Sequence, residues 1–264
     1  MKKWFKRAAF AAVCALHLGS AAAADVVIDA GHGGKDHGAL GTLGKHQYME
    51  KDFALDMSLQ LRKHLRQQGF SVAMTRTDDT FRPLGQRLAY GRKHCRKLFA
   101  SVHVNAAKNN PRANGVHTYV LQGNDATAVG KKSLQIARNV QKAFNPKRPE
   151  VRRARFVTLQ NTTCPSVQLE MYFMSNKADL KKLADKRQRR AIAGKLAKVI
   201  GTSLKQRDAK AKAKPAPSAV KPQTSKPAAK PSRPRVPAKA AAKDKPAPLK
   251  KAAPKTAAKP KAKR

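Results

Sequence analysis

The sequence predicts an α/β fold: a single three-layer domain with a mostly parallel sheet and helices on both faces, followed by a disordered basic tail. Two observations predict the domain. Between residues 25 and 204, short apolar runs alternate with segments of helical period. One of those runs, Leu98–Val104, is apolar enough to lie in the middle of a sheet covered on both sides. A third observation predicts the tail, residues 205–264: it holds 17 Ala, 16 Lys and 11 Pro and no aromatic residue. Proline interrupts any helix that Ala and Lys start, and too little apolar area remains to offset the entropy of ordering.

The elements follow in chain order. Val26-Val27-Ile28 is a β-branched run that ends at a glycine cluster. Phe53, Met57, Leu61 and Leu65 recur every four residues and make one face of a helix closed by Gly69. Phe70–Arg76 reads as a second strand, and Leu84, Leu88 and Gly91 as a helix after Pro83. Leu98–Val104 is the third strand and the alternating segment Gly115–Leu121 the fourth. Val129, Ile136, Val140 and Phe144 mark a helix that Pro146 ends; Phe156–Leu159 and Ser166–Met171 read as strands. Asn176 is placed to cap a following helix, and Ile192, Leu196, Val199 and Ile200 line the last one.

Residues 1–24 read as a secretory signal: Lys2, Lys3, Lys6 and Arg7 precede an apolar stretch, Phe10–Leu18, and the small residues Ala21-Ala22-Ala23. A membrane anchor is the alternative, but the stretch falls short of the roughly 20 apolar residues a spanning helix needs. Cys14 lies inside the apolar stretch, which argues against a lipoprotein. The formal net charge of +42 is spread over the chain and is densest in the tail, where 16 Lys and 4 Arg face Asp208 and Asp244. A polycation of this kind seeks anionic polymers or lipids, with a strong salt dependence. Beyond the signal two cysteines remain, Cys95 and Cys164. They permit a disulfide if the strands that follow them are neighbours and their Cα atoms lie within about 7 Å; otherwise they are two buried thiols. With no C-x-x-C, a thiolate zinc site has no support.

Four residues carry candidate chemistry. His32 follows the first strand within Asp29-Ala30-Gly31-His32-Gly33-Gly34, at the carboxyl edge of the sheet where open α/β folds bind ligands. A phosphate loop is the competing reading, but the spacing fits neither glycine fingerprint, because Asp36 stands where a third glycine belongs. Glu50 opens the first helix, a position that an acidic residue also takes simply to answer the helix dipole. His103 stands near the end of an apolar strand, where it is either a core histidine or an edge residue. Glu170 ends another mostly apolar strand, where a carboxylate is costly without a cation or a proton. All four fall at one predicted edge. Two imidazoles and a carboxylate make a catalytic zinc set with one position open for water, and a second carboxylate can accept that water's proton. Three ligands and one base suit amide hydrolysis. His46, His64, His94 and His117 read as surface or supporting residues.

The segments VVIDAGHGGKDHGALG, EKD, SVHVNA and LEMYFMSN, in this order, resemble those of zinc-dependent N-acetylmuramoyl-L-alanine amidases of the type-3 family. The resemblance covers residues 25–204. It implies a zinc amidase domain that cuts peptidoglycan between N-acetylmuramic acid and L-alanine. Carried over, the zinc ligands are His32, Glu50 and His103 and the catalytic glutamate is Glu170. An exported, periplasmic or secreted chain agrees with that substrate. Three positions depart from the family pattern: Tyr172 stands where a small residue, often glycine, is usual, Gln168 where an aliphatic one is, and His37 where proline or serine is. Tyr172 is expected to narrow the groove. The segment 123–165 leaves little room for the inhibitory helix that some division-associated members insert. A different class of function is an inactive amidase-like domain that binds envelope polymers or nucleic acid. Export and the lack of stacking aromatics in the tail argue against nucleic acid, and retention of all four residues argues for the enzyme over this class. A zinc peptidase acting on another amide is the third reading.

Overall fold

The structure, a computed structural model, describes residues 23–161 and 163–213, with side chains as far as Ala209. All but the end of the expected signal, and the tail beyond Ala213, lie outside the described residues. In chain order the elements are β1 (Ala24–Ala30), β2 (Leu40–Leu43), β3 (His46–Met49), α1 (Glu50–Gln67), β4 (Val72–Met74), α2 (Leu84–His94) and β5 (Cys95–Asn105). They continue with β6 (Val116–Leu121), α3 (Ala128–Phe144), β7 (Val151–Ala154), a 3₁₀ turn at Val157–Leu159, β8 (Ser166–Phe173), α4 (Lys177–Ala184) and α5 (Lys186–Ala213).

Six strands form one sheet in the order β4-β1-β5-β8-β6-β7. β4, β1, β5 and β8 run parallel, β6 is antiparallel to β8, and β7 is parallel to β6. The chain leaves β1 for β4 on one side and returns to β5 on the other. The strand order therefore reverses between β1 and β5, and a crevice opens there outside their carboxyl ends. Helices α1 and α3 cover one face, with α4 and α5 packed behind and beside them, while α2 and the 3₁₀ turn cover the other. The apolar stripe read from the sequence is the buried side of α1: Phe53, Met57, Leu61 and Leu65 all enter the core. Thr127 caps α3 by accepting a bond from the Gly130 amide at 2.9 Å. Asn176 caps α4, as expected, accepting from the amides of Ala178 and Asp179 at 3.1 Å.

Three local expectations are corrected. Phe156–Leu159 is not a strand: Val157–Leu159 form a 3₁₀ turn and the edge strand is the earlier β7. Thr158 and Leu159 are buried in succession, whereas a half-covered strand buries alternate residues. The hairpin β2–β3, turned at Gly44 and Lys45, lies in a stretch to which the sequence assigned no element. Finally, α5 runs nine residues past Leu204, and Lys97 holds Asp208, within that extension, at 2.7 Å.

Cys95 and Cys164 are disulfide-bonded, with Cα atoms 6.1 Å apart. They sit at the amino-terminal ends of the neighbouring strands β5 and β8, opposite the predicted site edge. No helix among the described residues is long and apolar enough to cross a membrane.

Candidate metal centre

The four predicted residues come together at the crevice. His32 lies just past β1, Glu50 is the first residue of α1, and His103 and Glu170 are register partners on β5 and β8. Three donor atoms converge: His32 Nε2 and His103 Nδ1 are each 3.0 Å from Glu50 Oε1, and 3.1 Å from each other. Tetrahedral ligands about 2.0–2.1 Å from a zinc ion lie roughly 3.3 Å apart, so this spacing needs only a slight opening to receive one.

Each donor is held from behind. His32 Nδ1 is 2.9 Å from Asp36 Oδ1, which leaves Nε2 to face the cluster when Nδ1 carries the proton. Glu50 Oε1 accepts the Val104 amide at 3.0 Å and Oε2 the Ala39 amide at 2.9 Å. The hairpin positions this carboxylate, because Ala39 also accepts the Glu50 amide at 2.9 Å through its carbonyl. Glycines are required where backbone passes the donors. A Cβ on Gly31 would lie 2.5 Å from the His103 ring, and one on Gly38, at φ +67°, 2.7 Å from both Glu50 Oε2 and His32 Cδ2.

His32 itself takes φ 59°, a left-handed conformation that costs a non-glycine residue of order 1 kcal/mol. Two buried arginines hold that loop. Arg87 donates to the carbonyls of His32 at 2.6 Å and Ala30 at 3.1 Å. Arg76 donates to Gly31 at 2.6 Å and, from α1, Lys51 at 2.9 Å. Arg87 is balanced by Asp29 at 3.7 Å. Asp29 in turn accepts the hydroxyls of Thr75 and Ser101 at 2.7 Å. Sequence reading missed Arg76, Arg87 and Asp29 as supports. A signal existed for Arg87: it shares the inward face of α2 with Leu88 and Gly91, where a cation demands a partner.

Burial disfavours charge on Glu50, yet the hydrogen bonds from His103 and His32 outweigh it and hold its carboxyl far below the usual range. Burial likewise opposes charge on His32, but Glu50 and Asp36 raise its pKa. Two imidazole nitrogens and a carboxylate oxygen so close together are a donor set that could hold a divalent cation. Glu170 behaves oppositely: burial pushes its pKa up, as suits a group that takes a proton.

A cavity of about 410 Å³ opens beside the trio, lined by His32, His103 and Gln168 together with Leu84, Arg155 and Phe156. Tyr172, expected to narrow this groove, does not line it. It has φ 72° and turns to α4, where Lys182 Nζ lies 5.0 Å from its ring centre. The register shift between β5 and β8 at this point inserts one extra residue and redirects the side chain. The positive φ also explains why glycine would suit the position. His46 is exposed, and His117, opposite Glu170 on β6, packs edge-on against Phe173 at 4.9 Å.

A family model described as N-acetylmuramoyl-L-alanine amidase matches residues 26–202. The chain is 36% identical over 114 residues to N-acetylmuramoyl-L-alanine amidase AmiC of Neisseria meningitidis, covering 43% of this chain and 26% of that one. It is 30% identical over 167 residues to the probable cell wall amidase LytH of Staphylococcus aureus, covering 63% and 54%. Thus it spans about a quarter and about half of these relatives. Among solved structures it resembles the N-acetylmuramoyl-L-alanine amidase of Clostridium difficile 630, with TM-score 0.59, 26% identity and coverage of 71% and 97%. The catalytic domain of CwlV from Bacillus (Paenibacillus) polymyxa var. colistinus gives TM-score 0.56 at 30% identity, covering 70% and 97%. With about two thirds of its length matched by one family model, this chain belongs to the N-acetylmuramoyl-L-alanine amidase family.

Proposed function

We propose that the chain is a zinc-dependent peptidoglycan amidase in which His32, Glu50 and His103 hold the metal and Glu170 is the general base. The observation that carries this reading is the convergence of two imidazole nitrogens and one carboxylate oxygen within 3.0–3.1 Å of each other, with a second buried carboxylate on the adjoining strand. When bound there, zinc supplies a Lewis acid and brings the pKa of a coordinated water toward neutrality. The residues of the chain do the rest. Asp36 fixes His32, the Val104 and Ala39 amides fix Glu50, and the raised pKa of Glu170 lets it take a proton and return it to the leaving nitrogen. The cleft beside the trio receives the substrate, and its walls exclude part of the solvent.

Residues 1–24 act as an export leader in this reading, which brings the domain to a substrate outside the cytoplasm. The cationic tail adds affinity for anionic envelope polymers or lipids. The test is incubation of the zinc-loaded protein with purified peptidoglycan, with and without a chelator. Release of peptides bearing a new L-alanine amino terminus, abolished by the chelator and restored by zinc, is the expected result. A zinc-loaded protein that releases none fails the assignment.

A further inference from the structure

We infer that Gln168 and Thr158 form a brace that sets the orientation of the Glu170 carboxylate, making Gln168 a positioning residue for the base. This inference rests on the assignment of Glu170 above. Gln168 Nε2 donates to Glu170 Oε1 at 2.8 Å. Thr158 Oγ1 donates to Gln168 Oε1 at 3.0 Å. All three side chains are buried. The direction of the chain of bonds is fixed by chemistry: an ionised carboxylate only accepts, so the amide NH₂ must face Glu170 and its oxygen must face Thr158. The hydroxyl rotates to complete the set.

Thr158 is itself held. It lies in the 3₁₀ turn, closed by the Leu159 amide on the Phe156 carbonyl at 3.0 Å and tied to β8 by Ser166 Oγ on the Leu159 carbonyl at 3.0 Å. The brace thus runs from a turn anchored to β8, through a side chain on β8, to the carboxylate two residues further along the strand. It occupies Oε1 and limits rotation of the carboxylate, leaving Oε2 outside the brace. Thr158 and Gln168 both border the cleft that His32 and His103 line, so the brace stands at the site and not in the distant core. A group of this kind acts on the chemical step, because misplacing a base by about 1 Å can cost as much as 100-fold.

The experiment compares the full zinc-loaded chain with Q168L, T158V, T158S and Q168L/T158V, using dye-labelled sacculi and a soluble muropeptide. Q168L should lower kcat roughly 10-fold with KM within about twofold and zinc content unchanged, and T158V should lower kcat in the same sense by a smaller factor. T158S, which keeps the hydroxyl, should match the wild type, and the double variant should be no slower than Q168L because both changes cut one path. An unchanged kcat in Q168L, effects that multiply in the double variant, or loss of zinc in Q168L would each overturn the brace. Crystal structures of wild type and Q168L decide the point without reference to turnover: the Glu170 carboxylate should be turned from its wild-type position, and an unmoved carboxylate overturns the inference. An inactive zinc-loaded wild type instead fails the amidase assignment, while the crystallographic comparison still decides the brace.

Discussion

Toward α1 and α3, the central sheet presents Val26, Ile28 and Ala30 from β1, Ala100, Val102 and Val104 from β5, and Val167, Leu169 and Met171 from β8. The alternate residues of the same strands face α2 and the 3₁₀ turn, and they change character along the strand direction. Val27, Phe99 and Cys164 form a small apolar cluster near the amino-terminal end. Asp29, Ser101 and Gln168 follow, and His103 and Glu170 stand at the carboxyl edge. One face is uniform and supplies stability by burying apolar area. The other is graded, and each of its buried polar groups is matched: Asp29 by two hydroxyls and Arg87, Gln168 by Thr158 and Glu170. On these three strands the costly groups are thus gathered on one side.

Substitutions on the two faces sharpen the contrast. The largest effect is expected at the proposed metal ligands: His32→Ala or His103→Ala should abolish both zinc binding and peptide release, measured by metal content and by the peptidoglycan assay. Glu170→Gln should keep zinc and lose at least roughly 100-fold in rate; zinc loss, or near-normal turnover with zinc bound, would make it a ligand or a bystander. Next comes a matched pair on β1. Asp29→Ala leaves the buried Arg87 without its counter-charge and should cost about 3–5 kcal/mol in denaturant unfolding. It should also slow the folded protein, since Arg87 holds the His32 carbonyl. Ile28→Ala, one residue earlier on the apolar face, should cost about 2–5 kcal/mol but leave zinc content and turnover per folded molecule within about twofold. Equal effects of both changes on turnover would break the comparison. The smallest effect on catalysis is expected from deleting residues 214–264: sacculus binding at low salt should fall, while cleavage of a soluble muropeptide should be unchanged. Binding that is indifferent to the deletion at every salt concentration would assign anchoring to the domain itself, since exposed charges are screened over about 10 Å at 0.1 M salt.

The apolar face was the legible one. The four-residue repeat of Phe53, Met57, Leu61 and Leu65 and the run Leu98–Val104 require nothing but periodicity to read, and the sheet with its covering helices follows from them. That the four candidate residues meet at one edge was also legible, because each stands where an apolar run ends or a helix begins. What supports them was not. Arg76 and Arg87 reach backbone carbonyls more than 40 residues away in sequence, and no local pattern records a partner at that distance. Phe156–Leu159 is too short for period 2 and period 3.6 to be told apart, and the β2–β3 strands have only four residues each. Gln168 stood out in sequence only as a departure from the family pattern; its meaning depends on Thr158, which the fold brings beside it.

The disulfide has a consequence for when, and not only how firmly, this site is assembled. Cys95 and Cys164 stand 69 residues apart, at the amino-terminal ends of the two strands that carry His103 and Glu170. Closing a loop of that length removes unfolded-chain entropy worth about 4 kcal/mol, a large share of the 5–15 kcal/mol that holds together an average domain. In a thiol-reducing compartment the bond does not persist, and β5 and β8 must pair without it. A domain built in this way reaches full stability only where thiols are oxidised. Oxidation thus secures the pairing of the two strands that carry His103 and Glu170.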